Sequence, residues 1–371
     1  MTVRYGTEGY GVTLLQYALM RAGMDVGNQD GICGRRTVRA LQQFQRDHGL
    51  AADGIAGKLT WAALYPYITG YTIHRIVPED TFPLLAERYG TTVGALKTAN
   101  PILATGATPV GRTITVPLDL SVVTGSIFAS SLLIGLLAKG LAMRYPYVSV
   151  YEIGRSGMGR PILALSMGEG KKQVGYVGAH HADAWSTTQV LLSFLEAYAA
   201  AYATGRSFGG VSSRELYERT TLHMAPLVNP DGVDLITGAL DAEDSFYAQA
   251  QALASYYPDI PFPEGWQSNI FGVDLSVQYP SRWEIARRDR SGKGYTRPGP
   301  RGYAGSEPLI APETRAIARW TKERDFALTM SFDEGYRDWI VQNWHRPGHI
   351  LETGGGPLLV PVLTRGLTLS S

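Results

Sequence analysis

Cysteine is nearly absent from this chain of 371 residues, in which Cys33 is the single example. One cysteine excludes an internal disulfide framework and a cysteine-based zinc ribbon. A surplus of either charge is also missing, because 34 Lys and Arg residues stand against 33 Asp and Glu residues and leave a net charge of +1. Such a chain has no basic field to attract a phosphate backbone, so nucleic acid is not an expected partner.

Long apolar runs are missing as well. The most apolar stretch, residues 127–143, contains Lys139 and falls short of the roughly 18 apolar residues that a membrane span needs. We therefore expect a buried or amphipathic helix there and no membrane span. The first residues hold no apolar run behind a basic stretch, so a classical cleavable signal peptide is not expected.

An internal repeat is the first organised feature. The pattern Asp-Gly-Ile-x-Gly-x-x-Thr occurs at residues 30–37 and again at 53–60, each time before a helical spacing of apolar residues. Asp-Gly predicts a tight turn with positive φ at the glycine, and the final threonine of each copy is a predicted helix N-cap. Two turn-helix units could form a simple helical bundle. Together with an earlier helical pattern around Leu15, however, residues 4–68 resemble the peptidoglycan-binding domain family.

A second small unit is predicted at residues 71–117. Its pattern indicates a strand from Tyr71, two helices and a closing strand, and Thr81 and Thr91 are the predicted N-caps of the two helices. This βααβ unit resembles a LysM domain. The resemblance implies binding to the N-acetylglucosamine-containing glycan of peptidoglycan or chitin.

The remainder, residues 126–371, follows a polar linker at 118–125 and alternates strand and helix patterns as an α/β sheet does. The predicted strands are residues 147–153, 161–167 and 173–179. The third strand ends in His180 and His181, before a helical pattern. Sites in open α/β sheets lie beyond the carboxyl ends of strands, so we expect this histidine pair to lie at a site.

Five ordered motifs give this region a family resemblance. They are Gly-Arg-Ser-Gly-Met-Gly-Arg-Pro at 154–161, His-His-Ala-Asp-Ala-Trp at 180–185, Asn-Pro-Asp-Gly at 229–232, Gly-Val-Asp-Leu at 272–275, and Arg-Pro-Gly with Leu-Glu-Thr-Gly at 346–354. They resemble the zinc carboxypeptidase (carboxypeptidase A-like) family, which implies a mixed α/β sheet. With the two preceding modules, the chain is most similar to the γ-D-glutamyl-diaminopimelate endopeptidases of spore-forming bacteria, which cut the stem peptide of peptidoglycan.

The resemblance implies a zinc ion held by two His and one Glu, with a water molecule in the fourth position and a separate Glu as general base. His181 matches the first ligand. Ala184 stands where the Glu ligand is expected, and a methyl group cannot bind zinc. Asp183 is a candidate replacement, although a solvated loop aspartate is the preferred interpretation.

The second His ligand is expected after the strand pattern at residues 326–332. Asp333 follows that pattern directly, and the segment that carries the second His in the family is missing. Asp333 is therefore a candidate ligand near the vacated place. His345 and His349 are further candidates, which we interpret as surface or packed histidines.

Glu352 matches the general base of the family, within the last of the motifs. Ser276 and Tyr336 are the candidate substrate-binding residues, and Ser276 stands where Asn usually follows Asp-Leu. Phe271 stands where an Arg often precedes Gly-Val-Asp. Loss of that guanidinium weakens the capture of a substrate carboxylate, which Arg holds through two parallel hydrogen bonds.

Three functions stay open on these observations: a wall-binding peptidase impaired by lost zinc ligands, an active metallopeptidase with substitute ligands, and a non-enzymatic wall-binding adaptor. The ligand count favours the first, with zinc implied by the family but its occupancy in doubt. The expected partner is peptidoglycan, through both glycan and stem peptide, and we expect a monomer. The expected location is the cell wall or the cytoplasm of a sporulating cell.

Overall fold

The computed structural model describes residues 1–103, 109–125 and 127–333. Within these ranges, no helix reaches the length and hydropathy that crossing a bilayer requires. The described residues divide into two compact units. The first contains residues 1–128 and most of the helix that follows, and the second contains the sheet that begins after residue 146.

The first unit begins with three helices around an apolar core. They are α1 (Tyr10–Arg21), α2 (Arg35–Asp47) and α3 (Lys58–Thr69). The core between them is formed by the buried side chains of Leu15, Leu19, Leu41, Phe44 and Leu64. The predicted helical N-terminal domain is thereby confirmed.

A buried glutamine closes the turn between α2 and α3. The Nε2 group of Gln45 donates to Asp53 Oδ1 and the Ile55 carbonyl, both at 3.0 Å, and to Thr60 Oγ1 at 3.2 Å. Its Oε1 atom accepts from the Gly54 N–H at 3.0 Å. One side chain thus satisfies polar groups along the whole repeat motif.

The turn before α2 is built in the same way around Gln16. This side chain contacts the equivalent four groups of the first motif, those of Asp30, Gly31, Ile32 and Thr37. The motif glycines, Gly31 and Gly54, have φ values of 71° and 72°, as the Asp-Gly pattern predicts. The repeat in the sequence is therefore also a repeat of hydrogen bonds.

The predicted threonine N-caps of α2 and α3 are wrong. Gly34 and Gly57 occupy the N-cap positions, and Thr37 and Thr60 lie in the first helical turn. Each threonine hydroxyl is buried against the amide of the glutamine described above. The role of these hydroxyl groups therefore depends on a glutamine from another helix. The local sequence pattern holds no information about that contact.

The βααβ order predicted for residues 71–117 is present. Its elements are β1 (Tyr71–Arg75), α4 (Phe82–Tyr89), α5 (Val93–Ala99) and β2 (Thr113–Pro117), and the two strands pair antiparallel. Thr81 caps α4 as predicted, by accepting from the Leu84 N–H. The second cap is Thr92, which accepts from the Ala95 N–H at 3.0 Å, so the prediction of Thr91 was wrong by one residue.

Helix α6 (Ser131–Arg144) occupies the apolar stretch for which a buried or amphipathic helix was predicted. From residue 132 onwards it belongs to the first unit. Gly140 contacts α3 so closely that a Cβ would collide with the Thr69 carbonyl. The Arg144 guanidinium donates to the carbonyls of Leu118 and Leu120. These contacts join the segment after β2 to the modules that precede it.

The second unit contains a mixed sheet. The strands of this unit are β3 (Val148–Arg155), β4 (Pro161–Met167), β5 (Lys172–Gly178), β6 (Ser207–Phe208), β7 (Val211–Ser212), β8 (Thr220–Ala225) and β9 (Leu328–Phe332). Strands β6 and β7 pair with each other in a separate two-stranded sheet. The other five strands form the mixed sheet of the described residues in the order β3-β4-β8-β5-β9. The pairs β3-β4 and β4-β8 are antiparallel, whereas β5 runs parallel to both β8 and β9. The predicted mixed α/β fold is confirmed.

The described part of the second unit also contains six α-helices. They are α7 (Trp185–Thr204), α8 (Ser213–Arg219), α9 (Pro230–Ile236), α10 (Ser245–Ala254), α11 (Trp283–Gly292) and α12 (Pro312–Arg324). Helix α12 packs on β3 through a buried cluster that includes Ile153, Ile162, Val177 and Trp320. The core therefore fixes the central strands, and the ends of these strands position the residues considered next.

Replacing Gln45 with Ala is expected to destabilise the first unit by about 2 kcal/mol or more, because buried donors and acceptors lose their partners. Hydrogen–deuterium exchange should show faster exchange of the Gly54 amide and its neighbours. Gln43→Ala is the matched control, since Gln43 is an exposed glutamine on the same helix. Equal exchange in the two variants would show that the glutamine does not hold the turn.

Candidate functional site

The site lies at the edge of the sheet where β5 and β9 end. Gly178, the last residue of β5, pairs with Phe332, the last residue of β9. The chain then turns at Ala179, whose φ of 51° is in the left-handed region that residues with a Cβ rarely adopt. His181 and Asp333 therefore leave parallel neighbouring strands on the same side.

The His181 imidazole bridges two carboxylates. Its Nδ1 atom lies 2.8 Å from Asp333 Oδ2, and its Nε2 atom lies 3.2 Å from Asp274 Oδ1. Nε2 is also 3.0 Å from the hydroxyl oxygen of Ser276, which itself donates to Asp274 at 2.7 Å. The side chain of Asp274 is almost wholly buried, so it fixes the ring from the interior side.

Opposite charges dominate the electrostatics of this group. Burial disfavours the imidazolium, but the carboxylates of Asp274 and Asp333 outweigh burial and raise the pKa of His181 well above its usual value. Burial likewise opposes ionisation of Asp274. The His181 charge and hydrogen bonds from Ser276 and the Gly302 N–H nevertheless hold its pKa far below the usual range. The two carboxylates therefore favour the cationic form of His181.

The neighbouring histidine has the opposite character. His180 is buried, with Nε2 at 2.6 Å from the Tyr279 hydroxyl and Nδ1 at 3.4 Å from Ser331 Oγ. Burial lowers the pKa of His180 to about 4. Of the two adjacent histidines, burial thus favours the neutral form of His180, and the two carboxylates favour the charged form of His181.

Asp183 and Ala184 follow in a short 3₁₀ turn, residues 182–184. Asp183 accepts from the Gln267 amide at 2.8 Å through Oδ2, whereas its buried Oδ1 atom has no hydrogen-bond partner among the described residues. Burial raises the pKa of Asp183. Ala184 is completely buried, so the position expected for a Glu ligand is a packed methyl group.

The zinc ion implied by the motifs needs three protein ligands. In the part of the chain that the structure describes, no group of three His, Cys, Asp or Glu side chains is placed to hold a metal ion. His181 and Asp333 supply two potential donors, and their separation of 2.8 Å is that of a hydrogen-bonded ion pair. The described residues therefore do not fit a zinc site.

Four residues singled out in the sequence lie outside the described residues. They are Tyr336, His345, His349 and Glu352. The roles of Glu352 as general base and of Tyr336 as a substrate contact stay predictions, as do the metal-binding roles of His181, Asp183 and Asp333. The substrate role of Ser276 also stays a prediction.

Asp274 is the functional contact that sequence reasoning missed. It belongs to the Gly-Val-Asp-Leu motif, but its sequence position gives no reason to pair it with a histidine 93 residues earlier. The available signal was an acidic residue within an otherwise apolar motif. A carboxylate behind a histidine is a common way to orient an imidazole toward a reaction partner or a metal.

Comparisons with known proteins fit both parts of the chain. The family model described as zinc carboxypeptidase matches residues 136–349, and the model described as putative peptidoglycan binding domain matches residues 8–64. The LysM resemblance of residues 71–117 has no counterpart in these two matches.

Three similar relatives are informative. Gamma-D-glutamyl-L-diamino acid endopeptidase 1 of Lysinibacillus sphaericus is 31% identical over 264 residues, which cover 60% of this chain and 65% of that protein. Uncharacterized protein YqgT of Bacillus subtilis (strain 168) is 31% identical over 261 residues, with 58% and 68% covered. N-acetylmuramoyl-L-alanine amidase CwlM of Mycobacterium tuberculosis is 39% identical over 82 residues, with 21% and 20% covered. The chain thus spans slightly less than two thirds of the first of these relatives.

In chelated buffer, we expect NMR titration to show a His181 pKa well above its usual value and a His180 pKa lowered to about 4. Because the folded pKa of His181 exceeds the unfolded value of about 6.5, its stabilising contribution is complete below that pH and is lost as pH rises through the folded pKa. Asp274→Asn should lower the pKa of His181.

His181→Gln and His180→Gln assign the two imidazole signals in this titration. Glu152→Gln is the control for Asp274→Asn, because it also removes one carboxylate from this unit. Glu152 pairs with Arg155 at an exposed position, so its loss should leave the pKa of His181 unchanged. A His181 signal that titrates at or below its ordinary value in the unaltered protein would contradict the bridging arrangement.

Proposed function

We propose that this chain, which belongs to the zinc carboxypeptidase family, is a peptidoglycan-binding protein whose peptidase domain receives the stem peptide with an impaired metal site. The reaction that we assign to the ancestor of this peptidase domain is hydrolysis of the γ-D-glutamyl-diaminopimelate bond. The relative named gamma-D-glutamyl-L-diamino acid endopeptidase 1 supports this choice of substrate class. The peptidoglycan-binding domain supports association with the cell wall.

The contacts of His181 are the observation that supports an impaired metal site. The Nδ1 atom of His181 faces Asp333 at 2.8 Å, and its Nε2 atom faces Asp274. A histidine binds a metal only through a deprotonated nitrogen, so zinc at Nδ1 would have to displace the proton that faces Asp333, whereas the Nε2 proton could stay with Asp274. With Ala184 in place of a Glu ligand, little binding energy is available to offset that cost.

The same residues still have defined roles without a metal. Asp274 and Ser276 hold the ring of His181 in one orientation, and Asp333 completes the ion pair at the open side, where its side chain is one-quarter exposed. This arrangement presents charged and polar groups to a peptide at the end of the sheet. It supplies binding and orientation, which are the functions we assign to the domain.

Residues 71–117 are proposed to be a LysM domain that binds the glycan strand. The support is the βααβ order with an antiparallel strand pair and a hydroxyl cap on each helix. With the preceding peptidoglycan-binding domain, this would give two wall contacts in one chain. Linked contacts raise the effective concentration of the second module, so avidity exceeds either affinity alone.

A second candidate is an active metallopeptidase with substitute ligands. The Oδ1 atom of Asp183 is buried without a partner among the described residues, and buried carboxylate oxygens are usually satisfied. Asp333 already lies beside His181. A zinc ion that recruits both aspartates would explain the unsatisfied oxygen, so zinc content decides between the two candidates.

Purified chain exposed to zinc and then dialysed is expected to retain far less than one zinc per molecule. It should not hydrolyse a γ-D-glutamyl-diaminopimelate peptide at an enzymatic rate. Ala184→Glu should not restore activity, because one added carboxylate does not replace the second His ligand.

The controls for this test are Asp333→Asn, Asp183→Asn and Glu352→Gln. About one zinc per chain, lost in either aspartate variant, together with turnover abolished in Glu352→Gln would establish the second candidate. Stoichiometric zinc without any turnover would contradict both accounts of the metal site.

The full chain is expected to co-sediment with purified peptidoglycan. Gln45→Ala should reduce the retained fraction because it loosens the turn between α2 and α3, whereas His181→Gln should leave retention nearly unchanged. Gln43→Ala is the control within the first unit. If the unaltered chain stays in the supernatant at all practical concentrations, wall binding is wrong.

A further inference from the structure

A carboxyl group is buried where two loops of the second unit meet. It belongs to Glu313, in the first turn of α12, and this residue is completely buried. One of its oxygens accepts from the Gly157 N–H at 2.9 Å, and the other accepts from the side-chain amide of Asn269 at 3.1 Å. Glu313 therefore connects the loop at residues 156–160 to the loop at residues 269–274.

The first of these loops is fixed by another carboxylate. Asp231 accepts from the Ser156 hydroxyl and from the Met158 N–H, both at 2.8 Å, and it pairs with Arg160 at 2.9 Å. This loop therefore does not depend on the buried carboxyl group for its position.

The second loop is shaped by one amide side chain. The Oδ1 atom of Asn269 accepts from the N–H groups of Phe271 at 3.2 Å and Val273 at 3.0 Å. The Nδ2 group of the same side chain donates to Glu313. The carboxyl group thus orients the asparagine, and the asparagine orients the backbone of the loop.

Asp274 ends this loop and connects it to the candidate site. Its carboxylate lies 3.2 Å from Nε2 of His181 and accepts from the Gly302 N–H at 2.9 Å. The residue before it, Val273, is the one whose N–H is held by Asn269. A displacement of the asparagine is therefore transmitted to the carboxylate that faces the imidazole.

The protonation state of Glu313 decides how firmly it holds Asn269. Burial raises the pKa of Glu313 to about 7, although its hydrogen bonds favour the carboxylate, and the charge of Asp231 adds to the rise. The charged and titratable groups that act on it are Asp231, which pairs with Arg160, and the hydroxyl of Tyr279. A carboxylate offers an acceptor to both N–H groups, whereas a neutral acid carries a proton on one oxygen and has less acceptor capacity.

We propose that Glu313 is a positioning residue of the candidate site. Acting through Asn269, its carboxylate fixes the loop at residues 269–274. It thereby sets the orientation in which Asp274 holds His181. The inference goes beyond the proposed function, because it concerns the loop itself and applies with or without a bound peptide. The loop is held more firmly when the carboxyl group is ionised than when it is protonated.

Hydrogen exchange measured by NMR on the full chain, in chelated buffer, tests this role. Glu313→Gln keeps the size of the side chain but replaces one acceptor by a donor, which opposes the Asn269 amide. The amides of Phe271 and Val273 should exchange about tenfold faster, as expected for the loss of one buried hydrogen bond. The Nε2–H signal of His181 should shift, because its carboxylate partner has moved.

A double variant supplies the rescue. Glu313→Gln combined with Asn269→Asp exchanges the amide and the carboxylate, so the new amide can donate to the new carboxylate and still accept from the Gly157 N–H. Slow loop exchange and the original His181 signal should return. Glu323→Gln is the matched control, because Glu323 is an exposed glutamate on the same helix, and it should change neither measurement.

The pH dependence of the unaltered chain gives a test that needs no variant. After correction for the intrinsic pH dependence of exchange, protection of the Phe271 and Val273 amides should fall as pH drops through the pKa of Glu313, about 7. This step should be absent in Glu313→Gln, which has no proton to exchange at that position. A step of equal size in both proteins would assign it to another group and overturn the positioning role.

Other results would overturn the inference as well. Unchanged loop exchange in Glu313→Gln would show that the carboxyl group does not hold the loop, and an equal change in Glu323→Gln would show a general charge effect. A shifted His181 signal without faster loop exchange would show a charge effect at the imidazole alone. If Glu313→Gln does not fold, the unaltered chain decides, because constant protection from one pH unit below to one above the pKa of Glu313 would contradict the proposal.

Discussion

An imidazole bridged between two carboxylates determines how the end of the sheet is organised. His181 follows β5, Asp333 follows β9 and Asp274 comes from a loop, so one ion-paired group joins three segments that are distant in the sequence. Removing one partner of a largely buried pair leaves an uncompensated charge, which typically costs about 3 to 5 kcal/mol. Burial lowers the pKa of the adjacent His180 to about 4, which favours its neutral form, so this histidine adds no second positive charge beside His181.

This constraint explains why the candidate site could be only partly predicted from the sequence. His181 was found because it ends a strand within a recognisable motif, and Asp333 because it follows a predicted strand. Their proximity depends on the register in which Gly178 pairs with Phe332, a long-range property. The role of Asp274 depends on how a loop folds back to the sheet, and neither periodicity nor local propensity contains that information.

The fold shows the same division between local and distant information. The predicted strand at 161–167 coincides with β4, and 173–179 differs from β5 by one residue, since alternation and apolar runs are local signals. The capping role of Thr81 was also local and was predicted correctly. Thr37 and Thr60 were misassigned because a glutamine from another helix binds each hydroxyl group. The domain limits at 4–68, 71–117, 118–125 and 126–371 stay predictions.

The proposed loss of the catalytic metal would change what selection can act on in the peptidase domain. A zinc peptidase must bind its transition state more tightly than its substrate, so a site without zinc has lost the interaction that provides most of this difference. Binding of the ground-state peptide requires only complementary shape and charge. Tethering by the wall-binding modules would further reduce the affinity that the peptide site itself must supply.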